Sequence, residues 1–234
     1  MRNIVVLTGA GISAESGIET FRGAGGLWEG HAVEDVATPE AFARDPGLVH
    51  QFYNLRRQQL LAGIEPNPAH VALARLEREF DGEVLVVTQN IDDLHERGGS
   101  ENVIHMHGEL LKSRCVSCGE VSECRHDLTV ASECPRCHAV GTPRPHVVWF
   151  GEIPLRLPEI ERALIAADLF IAVGTSGRVY PAAGFVRLAR AHEARTIEIN
   201  LEETGPGGAF QESRRGRAGE ILPDLVGSIL ARDA

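Results

Sequence analysis

Four cysteines stand as two pairs, Cys115 with Cys118 and Cys134 with Cys137, and fifteen residues separate the pairs. Four thiolates around one ion need two such knuckles, so the spacing predicts a tetrahedral zinc site of the ribbon type. Full thiolate coordination leaves no open position, and the metal is therefore expected to be structural. Cys124 belongs to neither pair, and His126 and His138 nearby do not improve the symmetric set.

A second set of residues suits a phosphorylated ligand. Gly9-Ala10-Gly11 follows a strand-like run and continues as Ile12-Ser13-Ala14, the G-x-G-x-x-A form of a dinucleotide-binding turn. Glycines there let backbone N–H groups approach a pyrophosphate, although a tight turn without a ligand would use the same letters. The continuation departs from a dehydrogenase. Gly17 interrupts the helix, and Thr20-Phe21-Arg22 leads into a glycine-rich stretch ending at Trp28, where a dehydrogenase would run to a second strand with an acidic end. Such a segment reads as a mobile cover over a cofactor, or as a surface Ω-loop.

Further polar residues stand where apolar runs end. Gln89-Asn90-Ile91-Asp92 follows VLVVT, Gly174-Thr175-Ser176 follows LFIAV, and Asn200-Leu201-Glu202 follows TIEI. In a parallel sheet the carboxyl ends of strands border the ligand crevice, so these amides and carboxylates can reach a ribose or a carboxamide; helix capping and turn formation are the plainer alternatives. His105 and His107 lie two apart in a strand-like run and are expected to share a face, which leaves open which imidazole acts as a base near neutral pH. In the helical stretch FYNLRR, Tyr53 and Arg56 are three apart and share a face. A guanidinium and a phenol together can hold a carboxylate, whereas a solvated arginine beside a half-buried tyrosine is the bland reading.

The elements that must position these groups alternate along the chain. The strand-like runs NIVVLT, EVLVVTQN, VIHMH, LFIAVGT and TIEIN are separated by helical patterns such as PNPAHVALARLEREF, in which Asn67 can cap and Pro68 can open the helix. LPEIERALIAAD, PAAGFVRLARAH and LPDLVGSILAR each carry a proline near the start. The fold class is therefore α/β: a Rossmann-like parallel sheet with helices on both faces, plus a smaller domain made of the zinc ribbon and a helical insertion. The core is expected over about residues 1–28, 70–107 and 147–234, and the small domain over about 29–69 and 108–146, in one catalytic unit spanning 1–234.

The chain has 234 residues, 43% hydrophobic and 24% charged, with a formal net charge of −10. That balance lacks the basic footprint of a nucleic-acid binder. No apolar run approaches a membrane span and the first strand begins by Asn3, so a cytoplasmic protein without membrane partners is expected.

Taken together, GAGISAESGIETFRG, TQNIDDLHERGG at 88–99, HMHGEL at 105–110, the two cysteine pairs, VVWFGE at 147–152, VGTSG at 173–177 and INLE at 199–202 resemble the sirtuin family of NAD-dependent protein deacylases. The resemblance spans essentially the whole chain, with the motifs in the expected order. It implies NAD consumed as a co-substrate, one structural Zn2+, and acylated-lysine proteins or peptides as partners of a monomeric enzyme. One departure is Glu19, where the family usually has a proline that would stiffen the cover loop.

The resemblance also implies roles for single residues. His107, directly before Gly108, would be the catalytic base, acting with Asn90 and Asp92. Gly9, Ala10, Gly11, Ala14, Glu15, Thr20, Phe21, Arg22, Trp28, Gln89, Asn90, Ile91, Asp92, Gly174, Thr175, Ser176, Asn200, Leu201, Glu202 and Ala218 would bind NAD. Val147, Val148, Phe150, Gly151, Glu152 and Val179 would flank an extended substrate peptide, while Tyr53 and Arg56 resemble the class III branch that removes succinyl, malonyl or glutaryl groups. In the implied reaction the acyl-lysine amide oxygen attacks the anomeric carbon and expels nicotinamide. His107 then activates a ribose hydroxyl that attacks the imidate, and water completes transfer of the acyl group to ADP-ribose. Delivery of ADP-ribose to a side chain or to water is the alternative enzyme reading; an inert core with a binding ribbon fits the acidic charge poorly.

Overall fold

A computed structural model describes residues 1–19, 27–28, 31–202 and 209–233 of the chain. The apolar runs form strands Asn3–Thr8, Glu83–Thr88, Val103–His105, Leu169–Val173 and Arg195–Asn200, joined by Glu212–Arg215 in one six-stranded sheet. Every pairing in it is parallel. Numbered along the chain, these strands lie in the spatial order 3-2-1-4-5-6, that of a dinucleotide-binding sheet, with the switch point between Asn3–Thr8 and Leu169–Val173. The polar edge strand Glu212–Arg215 carries no apolar alternation, which is why its sequence gives no strand signal.

Both faces of the central strands are covered, so their apolar runs are nearly continuous. Ile4, Val6, Val86 and Ile171 face Leu73, Leu76, Leu222 and Val226 of helices Pro68–Glu79 and Ala218–Asp233. Val5, Leu7, Val87 and Phe170 face Ile160, Leu164, Phe185 and Val186, from helices Leu157–Ile165 and Phe185–Ala191. The last helix starts at Ala218, so Pro223 lies inside it and does not open it. By contrast, Thr38-Pro39, Asp45-Pro46 and Asn67-Pro68 each pair a capping side chain with a proline in the first turn, as expected for Asn67.

The inserted segments form the rest. Gly108–Cys115 pairs antiparallel with Val121–Glu123 and Pro143–Val147, and helices Val33–Val36, Pro39–Arg44 and Pro46–Leu61 lie in the other insertion. Val36, Phe52 and Tyr53 pack with Leu110, Val147 and Trp149 in a third apolar cluster that also takes in Leu94, which opens a short helix beyond Thr88. The cluster thereby ties the helical insertion and the root of the ribbon to the sheet's carboxyl edge. Among the described residues, no helix is long and apolar enough to cross a membrane.

Candidate active site

At the switch point two strand-end loops touch through backbone alone. Gly9 N–H donates to the Val173 carbonyl at 3.0 Å and Gly11 N–H to the Gly174 carbonyl at 2.9 Å. A Cβ on Gly11 would lie 2.6 Å from the Gly174 Cα, and Gly174 itself has φ +60°. The glycines of the fingerprint are thus required by this contact, and the Gly11 N–H is already committed within the protein. The helix Ala10–Ser13 passes into a single tight turn, Ala14–Ser16, that ends at Gly17. Glu15 is anchored as well: its carboxylate accepts the Gly219 N–H at 2.9 Å, tying the first loop to the start of the last helix beside buried Ala218. Thr20, Phe21 and Arg22 lie outside the described residues; Trp28 is placed in a two-residue strand with Leu27 that pairs with His31–Ala32.

The loop after Thr88 is held at three successive carbonyls. The Gln89 carbonyl meets His107 Nδ1 at 3.1 Å, the Asn90 carbonyl meets His105 Nδ1 at 3.2 Å, and the Ile91 carbonyl accepts the Leu110 N–H at 2.8 Å. Its side chains form a directed chain. Asn90 Nδ2 donates to Ser13 Oγ at 3.0 Å, and the Ser13 hydroxyl donates to Asp92 Oδ2 at 3.0 Å. Asp92 Oδ1 accepts the Leu94 N–H, the first of the short helix Leu94–Arg97. Burial raises the Asp92 pKa to about 6, against the opposing pull of those hydrogen bonds and of the nearby His105 charge. Gln89 Nε2 is buried with no partner among the described residues. Sequence reasoning missed Ser13; its place inside the glycine motif was visible, but its contacts with Asn90 and Asp92 span 77 and 79 residues.

The strand expected to carry both histidines ends at His105; Met106 and His107 form a turn, so strand alternation does not apply to them. Gly108 makes the turn possible, with φ +82° and a Cβ position that would collide with the His146 carbonyl. His105 Nε2 lies 2.7 Å from Glu96 Oε1 while Nδ1 faces a carbonyl. Both partners only accept, so only a doubly protonated ring can donate to both, and the Glu96 carboxylate raises the His105 pKa against the effect of burial. For His107, only Nδ1 has such a partner among the described residues: it donates to Gln89, Nε2 keeps its lone pair, and burial lowers the pKa. The base-competent imidazole is therefore that of His107.

Beyond the switch point, Asn200 Nδ2 donates to the Thr175 carbonyl at 2.7 Å and Asn200 Oδ1 accepts the Leu201 N–H. Thr175 and Ser176 hydroxyls accept from the N–H groups of Gly177 and Arg178, closing their own turn. Leu201 and Glu202 stand exposed beside them. These residues line the carboxyl edge of the sheet, as expected, while their side chains also shape the loops.

A cavity of about 600 Å³ is lined by Ile18, Glu19, Arg56, Ile64, Ile91, Asp92 and Leu110, among others. Arg56 is 8% exposed, with its guanidinium over the Phe52 ring. Tyr53 is fully buried, accepts the Trp149 indole N–H at 3.0 Å, and has its pKa pushed up by burial. Trp149 is in turn stacked under the Arg144 guanidinium, whose centre is 3.4 Å from the ring. Neither Arg144 nor Trp149 was singled out by sequence.

The segments expected to flank a peptide run from a strand end and a loop into turns. Val147 ends its strand opposite Gly108, Val148 N–H donates to the His107 carbonyl, and Phe150 N–H donates to Ala37. Phe150 and Gly151 are exposed, and the Val179 carbonyl accepts the Ala183 N–H. Glu152 holds this turn together: it accepts from Arg144 at 2.8 Å through each oxygen, from Arg114, and from the Trp149 N–H. Its carboxylate is thus engaged by the protein and shapes the turn expected to flank a peptide.

The four cysteine sulfurs lie within 4.8 Å of one another, with Cys115–Cys137 and Cys118–Cys134 each at 3.7 Å. A tetrahedron with Zn–S of about 2.3 Å has S···S edges of about 3.8 Å, so the set fits zinc. Gly119 and His138, each directly after the second cysteine of a pair, both have positive φ, giving two matching knuckles. His138 turns outward to Glu133, and Cys124 is buried against the His126 carbonyl. Neither belongs to the sulfur cluster.

Compared with known proteins, the chain matches the model of the Sir2 family over residues 9–181. It is 61% identical over 233 residues to an NAD-dependent protein deacylase of Vibrio parahaemolyticus, covering 99% of this chain and 97% of that protein. An NAD-dependent protein deacylase of Vibrio vulnificus is 62% identical over 98% of this chain and 94% of that protein. Among solved structures, a Sir2 homologue in complex with NAD superimposes with a TM-score of 0.89 at 42% identity, covering 99% and 91% of the two chains. Sir2Af2 bound to a myristoylated histone peptide gives 0.74 at 33% identity, covering 99% and 92%.

Proposed function

The chain belongs to the Sir2 family of NAD-dependent protein deacylases, and from that footing we propose that it removes succinyl and malonyl groups, and acetyl groups as well, from lysine side chains. The products are nicotinamide, O-acyl-ADP-ribose and free lysine. NAD is the co-substrate and one zinc ion, held by Cys115, Cys118, Cys134 and Cys137, is structural. The enzyme acts as a monomer in the cytoplasm, with residues 29–69 and 108–146 as the smaller lobe that carries acyl recognition.

NAD supplies the electrophile, a ribose carbon that loses nicotinamide to the amide oxygen of the acyl-lysine. Asp92, largely ionised above pH 6, places negative charge where positive charge develops on the sugar. Ser13 orients that carboxylate and Asn90 together, so neither amide nor acid has to reorganise during the reaction. His107 Nε2 takes the ribose hydroxyl proton, with its tautomer set by the Gln89 carbonyl. Ile18, Ile91 and Leu110 give the cavity apolar walls that limit water around the reacting groups.

The observation that carries the acyl preference is that Asp92 and Arg56 line one cavity. The reacting end and a guanidinium suited to a distal carboxylate are thereby joined by a single space. Because a site built for a charged partner penalises a substrate that lacks it, acetyl-lysine is the slower substrate.

Matched succinyl-lysine and acetyl-lysine peptides, followed by mass spectrometry with and without NAD, test this reading. NAD-dependent loss of succinyl faster than acetyl is expected. Acetyl loss alone removes the Arg56 assignment but keeps the reaction, and nicotinamide release without deacylation points instead to ADP-ribosyl transfer or NAD hydrolysis.

A further inference from the structure

The loop that carries Asn90 and Asp92 is reached from behind by a pair that does not face the cavity. His105 closes the edge strand; its side chain is 8% exposed and bridges the Asn90 carbonyl and the Glu96 carboxylate. Glu96 sits on the short helix Leu94–Arg97, so one imidazole joins three elements: strand, loop and helix. A neutral imidazole has one N–H and could satisfy only one of two acceptors; the bridge needs the doubly protonated ring.

From this geometry we infer that Glu96 and His105 are a positioning pair for the deacylation reaction: the carboxylate keeps His105 charged, and the charged ring fixes the Asn90 carbonyl and helps keep Asp92 ionised. The inference rests on the deacylase reading of the site. Neither residue touches substrate; they act through Asn90 and Asp92.

The charges around the ring are consistent with this role. Glu96 and, from the following strand, Glu109 favour the cation, whereas burial opposes it. The same cation lowers the Asp92 pKa, with Asp93 pushing the other way. Lys112 supports the Glu96 carboxylate, and His95, on the same short helix, has its pKa lowered first by burial and also by the His105 cation. Removing the Glu96 charge alone should therefore discharge His105 within the working pH range and make Asp92 harder to ionise.

The test uses Glu96→Gln, which keeps an oxygen able to accept from Nε2 but carries no charge, with Glu96→Asp as the conservative variant. Long-range 1H–15N correlation at pH 7.5 should show both His105 ring nitrogens protonated in the wild type and only one in Glu96→Gln. In nicotinamide release with an acetyl-lysine peptide, the acid limb of kcat should move to higher pH by about half a unit or more in Glu96→Gln, with KM for the peptide changed less than about twofold, and should return toward wild type in Glu96→Asp. A neutral His105 in the wild type, or an acid limb that stays in place, overturns the inference. If wild-type protein releases no nicotinamide, the deacylase reading fails, and the resonance experiment still decides the state of the pair.

Discussion

His105 and His107, two residues apart, hold successive backbone carbonyls of one loop through the same ring nitrogen, yet differ at the other nitrogen: Glu96 occupies it in His105, whereas His107 keeps a lone pair. That difference supports His107 as the proposed base. His107→Ala should lower deacylation by about 10²-fold or more while leaving the thermal midpoint within a few degrees, measured by peptide turnover and by melting. A residual rate near wild type would remove His107 from the chemistry.

Asp92 should show a trade between activity and stability. Its folded pKa of about 6 lies above the unfolded value of 3.8, so its contribution to stability is fully present below about pH 3.8 and is lost as pH rises through 6. At neutral pH the ionised carboxylate is therefore a cost. Asp92→Asn keeps an oxygen for the Leu94 N–H and should raise stability by roughly 1–3 kcal/mol in denaturant titration while slowing turnover strongly. Unchanged or lower stability would contradict the burial argument.

Arg56→Met should reduce desuccinylation by about tenfold to a hundredfold and deacetylation by less than about threefold, as expected for loss of a charge-assisted hydrogen bond. Trp149→Phe removes the indole N–H that meets Tyr53 while keeping a ring under Arg144, and should give a smaller loss of the same selectivity. Equal losses on both substrates would return Arg56 to a structural role.

Metal removal should loosen more than the ribbon. Leu128 exchanges two hydrogen bonds with the Asn54 side chain, and Gln58 reaches Asp127, so the module docks on the helix that bears Tyr53 and Arg56. Cys134→Ser should abolish the single bound zinc in elemental analysis and lower the thermal midpoint by about 10 °C or more. Full metal content in that variant would exclude the four-thiolate site.

Acid should destabilise the fold through buried imidazoles. His50 and His70 are 2% and 0% exposed, and burial lowers both pKa values from 6.5 to about 4. The unfolded chain binds protons first, so their contribution is present above about pH 6.5 and is lost as pH falls toward 4, on the order of 3 kcal/mol for each. His70→Gln should flatten the decline in stability between pH 6.5 and 4; an unaltered slope would show that His70 is not a source of it.

The sequence by itself determined the fold class, the zinc ligands and the family. Apolar runs between helical periods specify a parallel sheet, the cap-and-proline pairs open helices locally, and cysteine spacing needs only two short knuckles. What it could not determine depends on groups that are distant along the chain. Strand alternation placed His105 and His107 on one face, and only the turn at Met106–His107, together with Glu96 folding back, gave the two rings different partners. Ser13 became a site residue because the first and second sheet strands are neighbours, bringing it to Asn90 and Asp92. Glu15 and Glu152, which the resemblance places at the ligand sites, also accept from Gly219 and from two arginines, since a carboxylate takes the donors the packed fold puts beside it. Local pattern decides which elements form; the identity of a side chain's partner is a property of the tertiary structure, because hydrogen bonds and burial act over ångströms in space and not over residues in sequence.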